Sequence, residues 1–142
     1  MKLLKKRAPE IVDFMGVQSE HGNLWCAEIE KQLPFVIKRI YYIVDMPQGS
    51  VRGAHAHKTL DQLVVAMQGH FSVDITDGEN NWTYNMTKPN QALYIPGGYW
   101  RTLKDFLQGS ICLVLASDPY DSSDYVRDYS DYLAWKAEHE KD

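Results

Sequence analysis

Two histidines one residue apart, in Arg52-Gly53-Ala54-His55-Ala56-His57-Lys58, are the residues of this chain whose types and spacing could do chemistry. Side chains at i and i+2 of a strand point to the same face, so His55 and His57 would enter one cavity together. Gly53, just before them, lets the backbone bend or approach a neighbour closely. Paired imidazoles beside an arginine suit two chemistries, a metal site or proton transfer near neutral pH.

Such a pair needs a rigid frame, and the pattern around it is that of short strands. Residues 35–44, Phe-Val-Ile-Lys-Arg-Ile-Tyr-Tyr-Ile-Val, are rich in β-branched and aromatic side chains and carry the strongest strand signal. Their alternation places Ile37, Arg39, Tyr41 and Ile43 on one face, and Lys38, Ile40, Tyr42 and Val44 on the other. Further strands are expected over 11–14, 24–29, 63–67, 71–75, 82–86, 92–95, 99–103 and 110–116. Turns at Asp77-Gly78-Glu79-Asn80-Asn81 and Pro96-Gly97-Gly98 punctuate them. This spacing predicts an all-β sandwich or barrel, as a jelly roll of two antiparallel sheets. The end differs. Ser122 or Ser123 could cap a helical tail over 124–140, with Tyr125, Tyr129, Tyr132 and Leu133 as its packing stripe. No repeat, low-complexity tract or linker interrupts the chain, so residues 1–142 read as a single domain with that helical tail.

The 142 residues are 44% hydrophobic, enough for a real core. The net charge of -4, with no basic tract, disfavours nucleic acid as a partner and leaves a phosphorylated small molecule open. Cys26 and Cys112 form no CxxC pattern and read as buried free thiols. No apolar run approaches the ~20 residues of a membrane span. The basic start, Met1-Lys2-Leu3-Leu4-Lys5-Lys6-Arg7, runs into Ala8-Pro9-Glu10 where a leader would have an apolar stretch. A cytoplasmic protein with no membrane partner is expected.

Gly53, His55, His57, Gln62 and Gly69 resemble the first motif of the cupins, and Pro96-Gly97-Gly98-Tyr99-Trp100-Arg101 resembles the second. Gln62 stands where the metal-binding glutamate would be, and Arg101 where the last histidine would be. An amide is a poor replacement for a carboxylate, and a guanidinium has no lone pair to give. Divalent-metal sites need three or four good ligands, so no metal and no cofactor are expected. A closer resemblance follows. Ile37-Lys38-Arg39-Ile40-Tyr41-Tyr42-Ile43, the histidine stretch, Leu115-Ala116-Ser117-Asp118-Pro119-Tyr120-Asp121 and Asp124-Tyr125-Val126-Arg127-Asp128-Tyr129 are similar to the nucleotide-sugar 3,4-ketoisomerases. These are small cupins acting on dTDP-4-keto-6-deoxyglucose. The resemblance implies a metal-free jelly roll, a dTDP-linked keto sugar as partner, and a homodimer that exchanges N-terminal strands. It also implies a place in the synthesis of 3-amino-3,6-dideoxyhexoses.

That activity suits the residues. Moving a ketone from C4 to C3 requires removing the C3 proton, passing through an enediol and reprotonating C4. A neutral imidazole is a suitable base and an imidazolium a suitable acid. The resemblance makes His55 the base, with His57 an acid or an orienting partner. Arg39, Tyr41, Arg52 and Arg101 are candidates to stabilise the enediolate. Arg39 could otherwise take the substrate diphosphate or serve as a structural ion-pair partner. Tyr41 has a plain reading as core, and Arg52 as a turn cap. Gln62 is expected to hydrogen-bond a catalytic histidine and fix its tautomer. Arg127, read at a helix start where a cation is disfavoured by the dipole, could have a phosphate or carboxylate partner or none. Trp100 and Tyr99 could line the sugar pocket or be core. Arginine is no practical proton donor at neutral pH, so Arg101 leans the product towards the gluco over the galacto configuration, and His21 could reverse this by supplying an acid. The competing functions are a non-catalytic nucleotide-sugar-binding cupin, a related nucleotide-sugar epimerase, and a metal-dependent dioxygenase.

Overall fold

The computed structural model describes residues 7–140. Residues 1–6 of the basic start, and the last two residues, lie outside the described residues. The strands are, in chain order, β1 (Glu10–Asp13), β2 (Met15–Ser19), β3 (Gly22–Cys26), β4 (Arg39–Ile43), β5 (Arg52–His57), β6 (Gln62–Gln68), β7 (Phe71–Thr76), β8 (Asn81–Met86), β9 (Gln91–Ile95), β10 (Trp100–Lys104), β11 (Ile111–Ala116) and β12 (Tyr125–Val126). One helix, α1 (Tyr129–His139), follows.

Two five-stranded antiparallel sheets form the expected jelly roll. Their orders are β1-β9-β6-β11-β4 and β12-β5-β10-β7-β8, and β2 and β3 make a separate hairpin. Period-two alternation builds the core between the sheets. Val64, Ala66, Phe71, Val73, Ile75, Leu93, Leu103, Phe106, Cys112 and Val114 meet there, each nearly sealed from solvent. Burying a side chain of this size stabilises the fold by about 1.5–3 kcal/mol. The outer face of the first sheet is apolar too. Leu63, Val65, Ala92 and Tyr94 are covered by Leu33, Phe35 and Ile37. On the second sheet α1 does the covering. Its Tyr132 is fully buried against Ala56 and Val126, and the tyrosine hydroxyl donates to the Gly98 carbonyl at 2.8 Å.

The strongest expected strand is shorter than its composition suggested. Only Arg39–Ile43 pairs with β11. Residues Phe35 and Ile37 are spent as an apolar lid on the first sheet. The hairpin strand Met15–Ser19 was not anticipated, because it has no alternating apolar face to bury. The helix does not begin at Asp124. Asp121 caps a single 3-10 turn over Ser122–Asp124, and the chain then straightens so that Tyr125 and Val126 pair with His57 and Ala56. A second cap, Asp128, whose carboxylate accepts from the Asp131 amide, starts the helix at Tyr129. Tyr125 is therefore a strand residue, outside the expected helical stripe, and Leu133 of that stripe is 40% exposed. Cys26 is also exposed, against the expected burial, whereas Cys112 is buried; both are free thiols. Among the described residues no helix is long and apolar enough to cross a membrane.

Candidate active site

At one end of the sandwich the inward positions stop being apolar. Arg39 and Tyr41 on β4, His55 on β5, Gln62 on β6 and Arg101 on β10 occupy core-facing positions. With Arg52 and Arg127 at the rim they line a cavity of about 330 Å³. A second cavity of about 480 Å³ shares Arg39 and Tyr125 with the first and is lined also by His57, Thr59 and Asp124.

A backbone irregularity aims the histidines. Across the β5–β10 pair, Arg101 faces His55 and Leu103 faces Arg52, so β5 carries one residue more than β10 between these pairs. Gly53 lies in that bulge with φ +68, a conformation natural to glycine, and a Cβ there would stand 3.2 Å from Leu103 Cδ1. Beyond the bulge His55 lines the first cavity and His57 the second, so the pair does not enter one cavity as expected, although the two rings meet. Their Nε2 atoms are 3.2 Å apart, with the rings nearly perpendicular. Behind them, His57 Nδ1 lies 3.3 Å from Asp124 Oδ2. The Asp124 carboxylate also accepts from the Thr59 amide and hydroxyl, each at 2.9 Å, and from the Leu60 amide at 3.2 Å. The Tyr125 ring sits 4.3 Å from that of His57 and 5.1 Å from that of His55.

Both imidazoles are pushed down to about 3, first by burial and next by the Arg101 guanidinium. They are neutral at physiological pH, so each is an acceptor on one nitrogen and a donor on the other.

A second chain of hydrogen bonds runs through the opposite wall. Gln62 Nε2 donates to the Tyr41 hydroxyl at 3.1 Å, Arg101 Nη1 donates to Gln62 Oε1 at 2.6 Å, and Arg101 Nη2 donates to the Tyr99 carbonyl at 3.2 Å. Burial raises the Tyr41 phenol above its ordinary value, so it stays protonated. Burial lowers Arg101 to about 10, which leaves it a cation at neutral pH. The Nε donors of Arg39 and Arg101 are buried and have no acceptor in the described chain. Arg39 lies over the Tyr41 and Tyr120 rings, and Arg127 over the Tyr125 ring at 4.2 Å.

Eight of the ten expected site residues thus converge: His55, His57, Tyr41, Arg101, Arg39, Arg52, Gln62 and Arg127. Two do not. Trp100 alternates with Arg101 on β10, so it faces outward and packs on Tyr129 and Tyr132. His21 sits exposed at the β2–β3 turn, 3.4 Å from Glu20, because that hairpin pairs only with itself. Two expected roles also change. Gln62 bonds Tyr41 and Arg101 and makes no bond to a histidine; the carboxylate that holds a histidine is that of Asp124. Arg127 precedes the helix cap and faces no unfavourable dipole. Asp124 and Tyr125 had been placed in a helix. The signal that could have found them is the run Ser122-Ser123-Asp124-Tyr125-Val126, whose aromatic and β-branched end favours a strand after a turn.

The cupin metal position does not fit a cation here. A buried guanidinium and an amide bonded to one another fill the places of two ligands. Among the described residues no three His, Cys, Asp or Glu side chains cluster as a metal set.

Comparison with known proteins shows what the chain resembles as a whole. The family model described as FdtA, WxcM-like, C-terminal, matches residues 7–137. A TDP-4-oxo-6-deoxy-alpha-D-glucose-3,4-oxoisomerase from Aneurinibacillus thermoaerophilus is 35% identical over 90% of this chain and 92% of its own. The crystal structure of a 3,4-ketoisomerase from Helicobacter canadensis superposes with a TM-score of 0.88 at 39% identity, covering 91% of this chain and 97% of that one. The TDP-quinovose 3,4-ketoisomerase of Campylobacter jejuni matches with a TM-score of 0.84 at 39% identity, over 89% and 97% of the two chains.

Proposed function

Because the chain belongs to the FdtA, WxcM-like family, we propose that it is a sugar 3,4-ketoisomerase converting dTDP-4-keto-6-deoxyglucose to the 3-keto isomer. The observation that carries this reading is the histidine pair. A neutral His55 lines a sugar-sized cavity, its ring touches His57, and cations stand around both.

In the reaction His55 takes the C3 proton and the electron pair of that bond forms the C3–C4 double bond, leaving negative charge on O4. Arg101 and Arg39 stabilise the enediolate in a site where charge is poorly screened. The O3 proton passes to O4, with the Tyr41 hydroxyl as the positioned carrier. A solvent-derived proton then adds at C4 and leaves the ketone at C3, His55 returns its proton to solvent, and no net oxidation occurs. Arg39, Arg52 and Arg127 form the cationic rim that the diphosphate would meet. No metal takes part in these steps.

Arg101 keeps its proton at neutral pH, so the face of C4 beside it has no acid. This supports the gluco product, as does the likeness to an enzyme named for TDP-quinovose. We assign the whole chain to one domain acting in the cytoplasm, and an aminotransferase is the class of enzyme that would consume its product.

The active form is a homodimer that exchanges N-terminal strands. Met15, Val17 and Leu24 leave the β2–β3 hairpin with an exposed apolar surface, and among the described residues no other strand pairs with it. Light scattering should return twice the chain mass. A monomer would sink the exchange.

The test of the activity is incubation of chelator-treated protein with dTDP-4-keto-6-deoxyglucose in deuterated water, followed by proton NMR. A 3-keto sugar deuterated at C4, in the gluco configuration, is expected. Binding without conversion would leave a nucleotide-sugar-binding protein in its place.

A further inference from the structure

We propose that Asp124 is a positioning residue that sets the tautomers of both histidines and thereby makes Nδ1 of His55 the base atom. The argument begins at the carboxylate. Three N–H or O–H donors besides His57 converge on Asp124, two from Thr59 on Oδ1 and one from Leu60 on Oδ2, so both oxygens already act as acceptors. A carboxylate held this way accepts from its remaining neighbour too. The ring nitrogen facing it, His57 Nδ1, must therefore carry the hydrogen.

The rest follows along the chain of contacts. A neutral His57 protonated on Nδ1 has a bare Nε2. That Nε2 meets His55 Nε2 at 3.2 Å, so His55 supplies the hydrogen there. A neutral His55 protonated on Nε2 has its lone pair on Nδ1. Burial and the surrounding guanidiniums support the neutral state of both rings.

The same chain gives the abstracted proton somewhere to go. When His55 Nδ1 takes a proton from carbon, its Nε2 hydrogen can move to His57 Nε2. The imidazolium so formed lies against the Asp124 carboxylate. His55 faces the first cavity and His57 the second, so the pair joins two compartments and only one of them holds the sugar.

The catalytic consequence rests on the isomerase reading, but the tautomers do not, and they are measured without substrate. Long-range proton–nitrogen NMR of the ligand-free, nitrogen-15-labelled protein at neutral pH should show His57 as the Nδ1–H form and His55 as the Nε2–H form. In Asp124→Asn the oxygen can stay on the Thr59 donors and the amide then donates to His57 Nδ1, which reverses both tautomers. The kcat of that variant should fall about 10²-fold or more, with KM changed less than about threefold. If the variant fails to fold, the wild-type spectrum alone decides. His57 found as the Nε2–H form in the wild type, or tautomers unchanged in a folded Asp124→Asn, would overturn the proposal. Correct tautomers in a protein that converts no keto sugar would instead overturn the isomerase reading.

Discussion

Arg101 donates to Gln62 across 2.6 Å, and each of the two stands where a metal-binding relative would carry a ligand. The bond makes the pair a wall in place of a metal site, and it fixes the Tyr41 hydroxyl through the other end of the amide.

Exhaustive chelation should therefore leave turnover within about twofold of the untreated protein. The comparison is kcat before and after chelation, with added zinc or ferrous iron as controls. A large loss restored by metal would reverse this reading, since three good ligands are the minimum for a divalent site.

Arg101→His replaces a permanent cation with a group that can deliver a proton near neutral pH. The galacto epimer should rise to a measurable share of the product, read from the C4 proton couplings. An unchanged ratio removes this position from control of the protonated face.

His55→Asn should lower kcat about 10²–10⁴-fold, the range for losing a general base. Calorimetry should show dTDP affinity within about threefold of the parent, because the proposed diphosphate contacts are with arginines elsewhere on the rim. Retained turnover would move the base to another residue.

Arg39→Ala should weaken dTDP binding about 10–100-fold, as expected on losing a charge-assisted bond of about 1.5–3 kcal/mol. Its buried Nε has no acceptor in the described chain, which suits a ligand oxygen. Unaltered affinity would leave Arg39 a structural residue.

Acid sensitivity follows from the two neutral histidines. Their folded values, about 3, lie below the ordinary 6.5. Below pH ~6.5 the unfolded chain takes up protons that the folded chain refuses. Stability is thus lost as pH falls from about 6.5 towards 3, at up to about 1.4 kcal/mol per pH unit for each histidine. Urea unfolding at pH 7 and pH 5 measures the slope. Bound dTDP should raise both values by offsetting the guanidinium charge, and the histidine Cε1 proton shifts would report it.

Much of this site was legible because strands alternate. The same rule that put Arg39 with Tyr41, and His55 with His57, also excludes Trp100 once Arg101 is taken as inward-facing. Of the two readings of Trp100, pocket lining ignores that rule, and packing is the one observed. Gln62 was legible as an inward polar group, but its partners lie on β4 and β10, and no local pattern names them. The Asp124–His57 contact spans 67 positions and is equally invisible to spacing. The helix start was misplaced because Ser122 and Ser123, the expected caps, lie inside a single turn capped by Asp121, and only pairing with β5 shows that the chain straightens before the helix cap at Asp128. The hairpin tip at His21 was read as part of the site, yet among the described residues its two strands pair only with each other.

The sixty-seven positions between His57 and Asp124 also set an order of events as the chain leaves the ribosome. By Ala116 every strand of the first sheet and four strands of the second have been made. At that stage β5 is still an edge, and its two histidines lack the carboxylate behind them. Asp124 arrives on β12, and Tyr132 then fastens that segment through the Gly98 carbonyl. The histidine pair is thus completed last, together with the part of the cavity wall that Tyr125 and Arg127 supply.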